Sequence, residues 1–161
     1  LQKARQVRLW IPKGMEGHLR LRARDVKAGR VVVRGPCSLG GDLLSTGSMG
    51  RKVKEHGLII ASPEGPVLVT GCAHPGIDRM ATRATRLMGH DLSLVVGGFH
   101  LGGESPERVS AVVDRLVGAT RSVAPGHCTG VEATAALLAR FPSGITLEVG
   151  KTIRMPDSPS P

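Results

Sequence analysis

The chain has 161 residues, 40% of them hydrophobic, and a formal net charge of +9, a size that suits one domain with a buried core. No long unbroken apolar stretch occurs, and the basic opening LQKARQVRLWIPKG leads into no apolar block, so neither a transmembrane helix nor a signal peptide is expected. Aromatic residues make up 2% and Tyr is absent, so the core must come from Val, Leu, Ile, Ala and Met, and single-strand nucleic-acid binding lacks its usual stacking platforms.

Residues 1–28 are basic and weakly patterned, reading as a poorly defined, solvated N-terminal segment ahead of a domain over 29–153. RVVVR (30–34) reads as a β-branched strand and GPCSLGGDLLSTGSMG as a Gly- and Ser-rich loop. GLIIA and PVLVTG flank the turn SPEG, a β-hairpin signal over about 57–61 and 66–71. In IDRMATRATRLMG the apolar residues Ile77, Met80, Ala81, Ala84, Leu87 and Met88 recur at helical spacing. LSLVV (92–96) is a continuous apolar run of the kind covered on both faces. SPERVSAVVDRLVGA carries a cap at Ser105, Pro106 at the first helical position and a stripe of Val109, Val112, Val113 and Leu116. RSVAP reads as a short strand, TGVEATAALLARF as a helix opened by Thr129 and Glu132 in capping-box spacing, and ITLEV (145–149) as a last strand. The tail 154–161 reads as disordered. Hairpin followed by alternating α and β predicts a layered α/β architecture.

Three apolar runs end on Gly and then on a ligand-type residue. Cys72 and His74 follow the strand at 66–71, His100 follows the strand at 92–96, and His127 follows the strand near 121–124. If those strands lie side by side, the three loops share one edge of the sheet, where ligands gather in open α/β sheets. Imidazole and thiolate together suit zinc and similar divalent ions. His18, His56 and His90 read as structural or surface residues. The cysteines, Cys37, Cys72 and Cys128, are too few and odd in number for a disulfide framework, which points to a reducing cytoplasm.

VLVTGCAHPGI, VVGGFHL and APGHCTG resemble the C-terminal half of metallo-β-lactamase-fold hydrolases, in the branch of the 7,8-dihydropterin-6-methyl-4-(β-D-ribofuranosyl)aminobenzene-5'-phosphate synthase-like proteins. LLSTGSMG and KEHGLIIASPEGPVLVTG fit the same branch, and the likeness spans about residues 40–150. The resemblance implies a four-layer αββα sandwich, of which this chain would be the C-terminal half. It also implies one or two divalent metal ions, zinc first, at the edge between two sheets. GCAH stands where the superfamily places a metal-bridging Asp or Cys, which would make Cys72 or His74 a ligand, and PGHCTG matches the last ligand, His127. His100 and Thr129 are then candidates for contacts around the ligands or to substrate.

The superfamily's main metal motif, HxHxDH, is absent, and HLRLRARD does not match it. With Leu at position 1, the expectation is a truncated or split chain, inactive alone, whose exposed sheet face is met by an N-terminal half or a second copy. The expected function is metal-dependent hydrolysis of a small molecule, phosphorylated or not, with no membrane partner. The alternatives are a non-catalytic binding module of the same fold, or a nucleic-acid processing member, which the basic arm suggests and the motifs disfavour.

Overall fold

The computed structural model describes residues 7–17 and 28–153. The readings of His18, of most of the basic segment and of the tail 154–161 lie outside the described residues. Part of that basic segment is ordered after all. β1 (Val7–Pro12) pairs in parallel with β2 (Ala28–Val33), which starts ahead of the RVVVR run, and Ile11 and Val33 are buried. This ribbon is tied to the loop at 46–50 by Ser48, whose N–H donates to Arg34 O at 3.2 Å and whose hydroxyl donates to Lys13 O at 3.1 Å.

The stretch read as a loop after β2 instead holds a hairpin, β3 (Cys37–Gly40) and β4 (Leu43–Ser45), paired antiparallel. Its turn is made by Gly40 and Gly41 at φ 113° and 54°, conformations that only glycine adopts freely. β5 (Leu58–Ile60) and β6 (Val67–Thr70) form the expected second hairpin. At its turn the Gly65 N–H donates to Ser62 O at 3.0 Å and the Ser62 hydroxyl to Gly65 O at 2.8 Å.

From β6 onward the chain alternates. α1 (Ile77–Met88) ends on Gly89, which is left-handed at φ 77° and returns its N–H to Thr85 O. β7 (Leu94–Gly98) lies parallel to β6, and α2 (Pro106–Val117) begins on Ser105, whose hydroxyl accepts from the Arg108 N–H at 3.3 Å. β8 (Val123–Gly126) lies parallel to β7. A single 3₁₀ turn (His127–Thr129) then leads into α3 (Val131–Arg140). The six strands stand in the order β3-β4-β5-β6-β7-β8, so the sheet is antiparallel on one side and parallel on the other.

The helices cover one face. Ile59, Leu68, Val95 and Val123 from the sheet pack with Met80, Ala84, Val112, Leu116 and Leu137 from the helices. Each of these side chains larger than alanine, withdrawn from water, contributes about 1.5–3 kcal/mol before ordering entropy is subtracted. The opposite face carries a smaller cluster of Val67, Leu94 and Ala124, with Ile60, Val69 and Val96 only partly buried. No helix of the described residues is long and apolar enough to cross a membrane.

Two local expectations are corrected. ITLEV runs beside β8 without joining the sheet as a strand, held by Ile145 N–H to Val123 O at 2.9 Å and Leu147 N–H to Pro125 O at 3.2 Å. The reciprocal bond of a parallel ladder would come from the N–H of residue 125, and Pro125 has none. At α3, Thr129 is not the cap. Gly130 holds that position with no side-chain bond, and Thr129 turns inward instead.

Candidate metal centre

The parallel order β6-β7-β8 brings the three strand ends side by side, as the shared-edge reading required. Their loops are stitched together by backbone bonds: Gly98 N–H to Gly71 O at 2.8 Å and Gly102 N–H to Cys128 O at 3.2 Å. Thr129 adds a third tie, its buried hydroxyl donating to Gly126 O at 2.7 Å and accepting from the Phe99 N–H at 3.2 Å. The described non-glycine residues with positive φ are Ala73 (57°), His100 (51°) and His127 (50°), one in each of these loops. Backbone held in that costly region clusters at functional sites, where packing over-determines it.

Cys72, His127 and Cys128 converge, with their ligand-type atoms all within 4.8 Å of one another. The Cys128 thiol donates to Cys72 O at 3.6 Å. Gly98 makes this approach possible, since a Cβ there would stand 2.7 Å from Gly71 O, 2.9 Å from Cys128 Sγ and 3.2 Å from Cys72 Cα. Burial raises the Cys72 thiol above its ordinary range, and the Cys128 thiol beside it and the Glu55 carboxylate push the same way. Two sulfurs and an imidazole at this spacing are the donor chemistry zinc prefers, and three donors leave room for a further ligand in a tetrahedral shell.

His74 stands apart from that group. The Glu55 carboxylate takes both its backbone N–H (3.0 Å) and its Nδ1 (2.5 Å). A carboxylate only accepts, so the neutral ring carries its proton on Nδ1 and leaves the Nε2 lone pair free. The exposed His100 ring lies beside it, with centroids 4.3 Å apart at 50°. Beneath the pair is a small cavity of about 90 Å³ walled by Asp78, Phe99, Glu104 and Arg108 among others. A larger groove of about 450 Å³ runs between α2 and α3 and contains none of the donors, so its size does not mark the chemistry.

Of the residues singled out in the sequence, then, the structure joins Cys72 to His127, places His74 with His100 next door, and sets Thr129 under the edge as a tie between loops. Two participants were missed. Cys128 follows His127 directly and reads as a small buried hydrophobe. Glu55 lies 19 residues before His74 in a loop that carries no ligand pattern. His56 and His90, read as structural or surface residues, stand outside the donor group: His56 Nδ1 meets Ser45 Oγ at 2.7 Å, and the exposed His90 Nδ1 meets Asp91 O at 3.2 Å.

No protein-family model matches the sequence. Over 103 residues the chain is 33% identical to the 7,8-dihydropterin-6-methyl-4-(β-D-ribofuranosyl)-aminobenzene-5'-phosphate synthase of Methanocaldococcus jannaschii, a match covering 62% of this chain and 35% of that one. It is 36% identical over 67 residues to an uncharacterized protein of the same organism, covering 42% and 25%. The chain thus spans about a third or less of the curated relatives it matches. Among solved structures it is similar to a metal-dependent hydrolase of the β-lactamase superfamily, with a TM-score of 0.71 at 21% identity, covering 89% of this chain and 72% of that one. The fold is that of the metallo-β-lactamase superfamily.

Proposed function

We propose that this chain is the metal-holding C-terminal part of a metal-dependent hydrolase acting on a small molecule, with zinc held by Cys72, His127 and Cys128. The convergence of those three donors at one sheet edge is the observation that carries this reading. When bound, the ion supplies Lewis-acid polarisation and acidifies water. The chain's own residues do the rest. Gly98 leaves the space in which the two thiols approach. Glu55 fixes the His74 ring, much as a carboxylate orients a ligating imidazole, and keeps Nε2 available as ligand or base. His100 packs its ring against that of His74.

The absence of HxHxDH favours a second element in the reading: this chain binds the ion but does not complete the reaction without further donors. The non-catalytic binding module differs only in needing no such complement. Three free cysteines suit a reducing compartment, and we place the chain in the cytoplasm on that ground.

Metal analysis after dialysis against zinc tests the proposal. One zinc per chain is expected, with Cys128→Ser and His127→Ala each losing most of it. A cobalt-loaded sample should show thiolate charge-transfer absorption that Cys72→Ser and Cys128→Ser each weaken. A chain that emerges metal-free, or whose zinc survives both cysteine changes, overturns the assignment.

A further inference from the structure

We infer that the cleft between α1 and α2, whose lining includes none of the three metal donors, binds a small phosphate-bearing anion. Arg79, Arg83 and Arg86 follow one another at i, i+4 and i+7 and so form one stripe along α1. With Arg115 of α2 they line a cavity of about 260 Å³. Like charges at these spacings repel and weaken a helix. Among the described residues, no ion pair or side-chain hydrogen bond takes up Arg79, Arg83 or Arg86. The one carboxylate in the lining, Asp78, is already committed to Arg115 at 2.6 Å. The cleft therefore keeps three uncompensated guanidinium groups.

Guanidinium is the cation whose planar fork matches phosphate oxygens in bidentate fashion. The cleft is smaller than the roughly 300–1,000 Å³ of sites that enclose a whole small molecule, which suits one phosphate or diphosphate group of a ligand. Nucleic acid is the poorer occupant. Phe99 and Phe141 are buried, and no aromatic side chain lines the cleft to stack a base. The inference does not rest on the metal reading, because none of the four arginines belongs to the donor cluster.

Calorimetric titration of the full chain, pretreated with a chelator so that no metal competes, tests it with inorganic pyrophosphate as the probe. Saturable binding with one site per chain is expected. It should weaken roughly tenfold or more in Arg83→Gln/Arg86→Gln, since 1.4 kcal/mol is a factor of ten, and stay unchanged in Arg51→Gln, which lies outside the cleft. Should the Gln pair lose its helical signal, Arg83→Lys/Arg86→Lys keeps the charge but not the fork, and a severalfold loss is still expected. Binding that ignores both pairs overturns the proposal. So does binding that falls equally in Arg51→Gln, or a single-stranded oligonucleotide that outcompetes pyrophosphate with a steep salt dependence, since either marks general attraction to a chain of net charge +9.

Discussion

At the scale of single residues, the site depends on an atom that is not there. Gly98 has ordinary backbone angles, so its missing Cβ serves space and not conformation. Gly98→Ala would bring a methyl within 3 Å of Gly71 O and Cys128 Sγ. Neither neighbour is the free end of a long side chain, so the strand end must shift, and overpacking of this kind costs about 1–3 kcal/mol. The expected outcome is a lowered melting temperature together with lost zinc. Unchanged zinc stoichiometry in a folded Gly98→Ala chain would show that the thiols do not need this approach. The same residue shows why the sequence revealed only part of the site. GGFH marks a turn at a strand end, but nothing in its spacing says that the space over Gly98 is filled by Cys128 from a strand away. Likewise the carboxylate that fixes His74 comes from Glu55, across the sheet edge, where local pattern carries no information.

At the scale of elements, the helices were legible because their apolar stripes have one period and one partner face. The cap at Ser105 stands where the sequence signal placed it. What escaped was strand structure decided by partners: β1, in the segment read as poorly defined, pairs with the strand that RVVVR did signal, and β3 and β4 depend on a Gly40–Gly41 turn inside a stretch that reads as loop. The reverse error came at ITLEV, where β-branched composition met a neighbour, Pro125, that lacks the donor to pair with it. The joint between α1 and α2 makes a sharper test of element packing. Asp78 is 5% exposed and Arg115 47% exposed across their ion pair, which uses Oδ2, while the buried Oδ1 of Asp78 has no hydrogen-bond partner among the described residues. Arg115→Ala strands a buried carboxylate, at a cost of about 2–4 kcal/mol, below the usual figure for a fully buried pair because water reaches the arginine side. Asp78→Ala frees an arginine that can hydrate, at about 1 kcal/mol. Denaturant unfolding should rank them in that order, and adding Asp78→Asn to Arg115→Ala should recover part of the loss. Equal costs would mean that the pair only touches and does not clamp.

At the scale of the whole molecule, basicity and one partly buried imidazole act together on acid stability. The chain already carries +9 with its six histidines neutral, and acidification adds to that self-repulsion. His56 adds a separate term. Burial disfavours its charged form, so in the folded chain it titrates below the 6.5 of an unhindered imidazole. Above about pH 6.5 the ring is neutral in both folded and unfolded chains and its contribution to stability is complete. Below that, the unfolded chain takes up a proton that the folded chain resists, so stability falls with falling pH until the folded ring is also protonated. Melting temperature should therefore hold level above about pH 6.5 and decline beneath it. His56→Gln, which keeps a partner for the Ser45 hydroxyl, should flatten the upper part of that decline. Added salt distinguishes the two terms, because screening relieves repulsion among exposed charges but leaves the desolvation of a buried ring in place. A decline that salt abolishes in the unaltered chain would assign acid sensitivity to net charge alone and remove His56 from it.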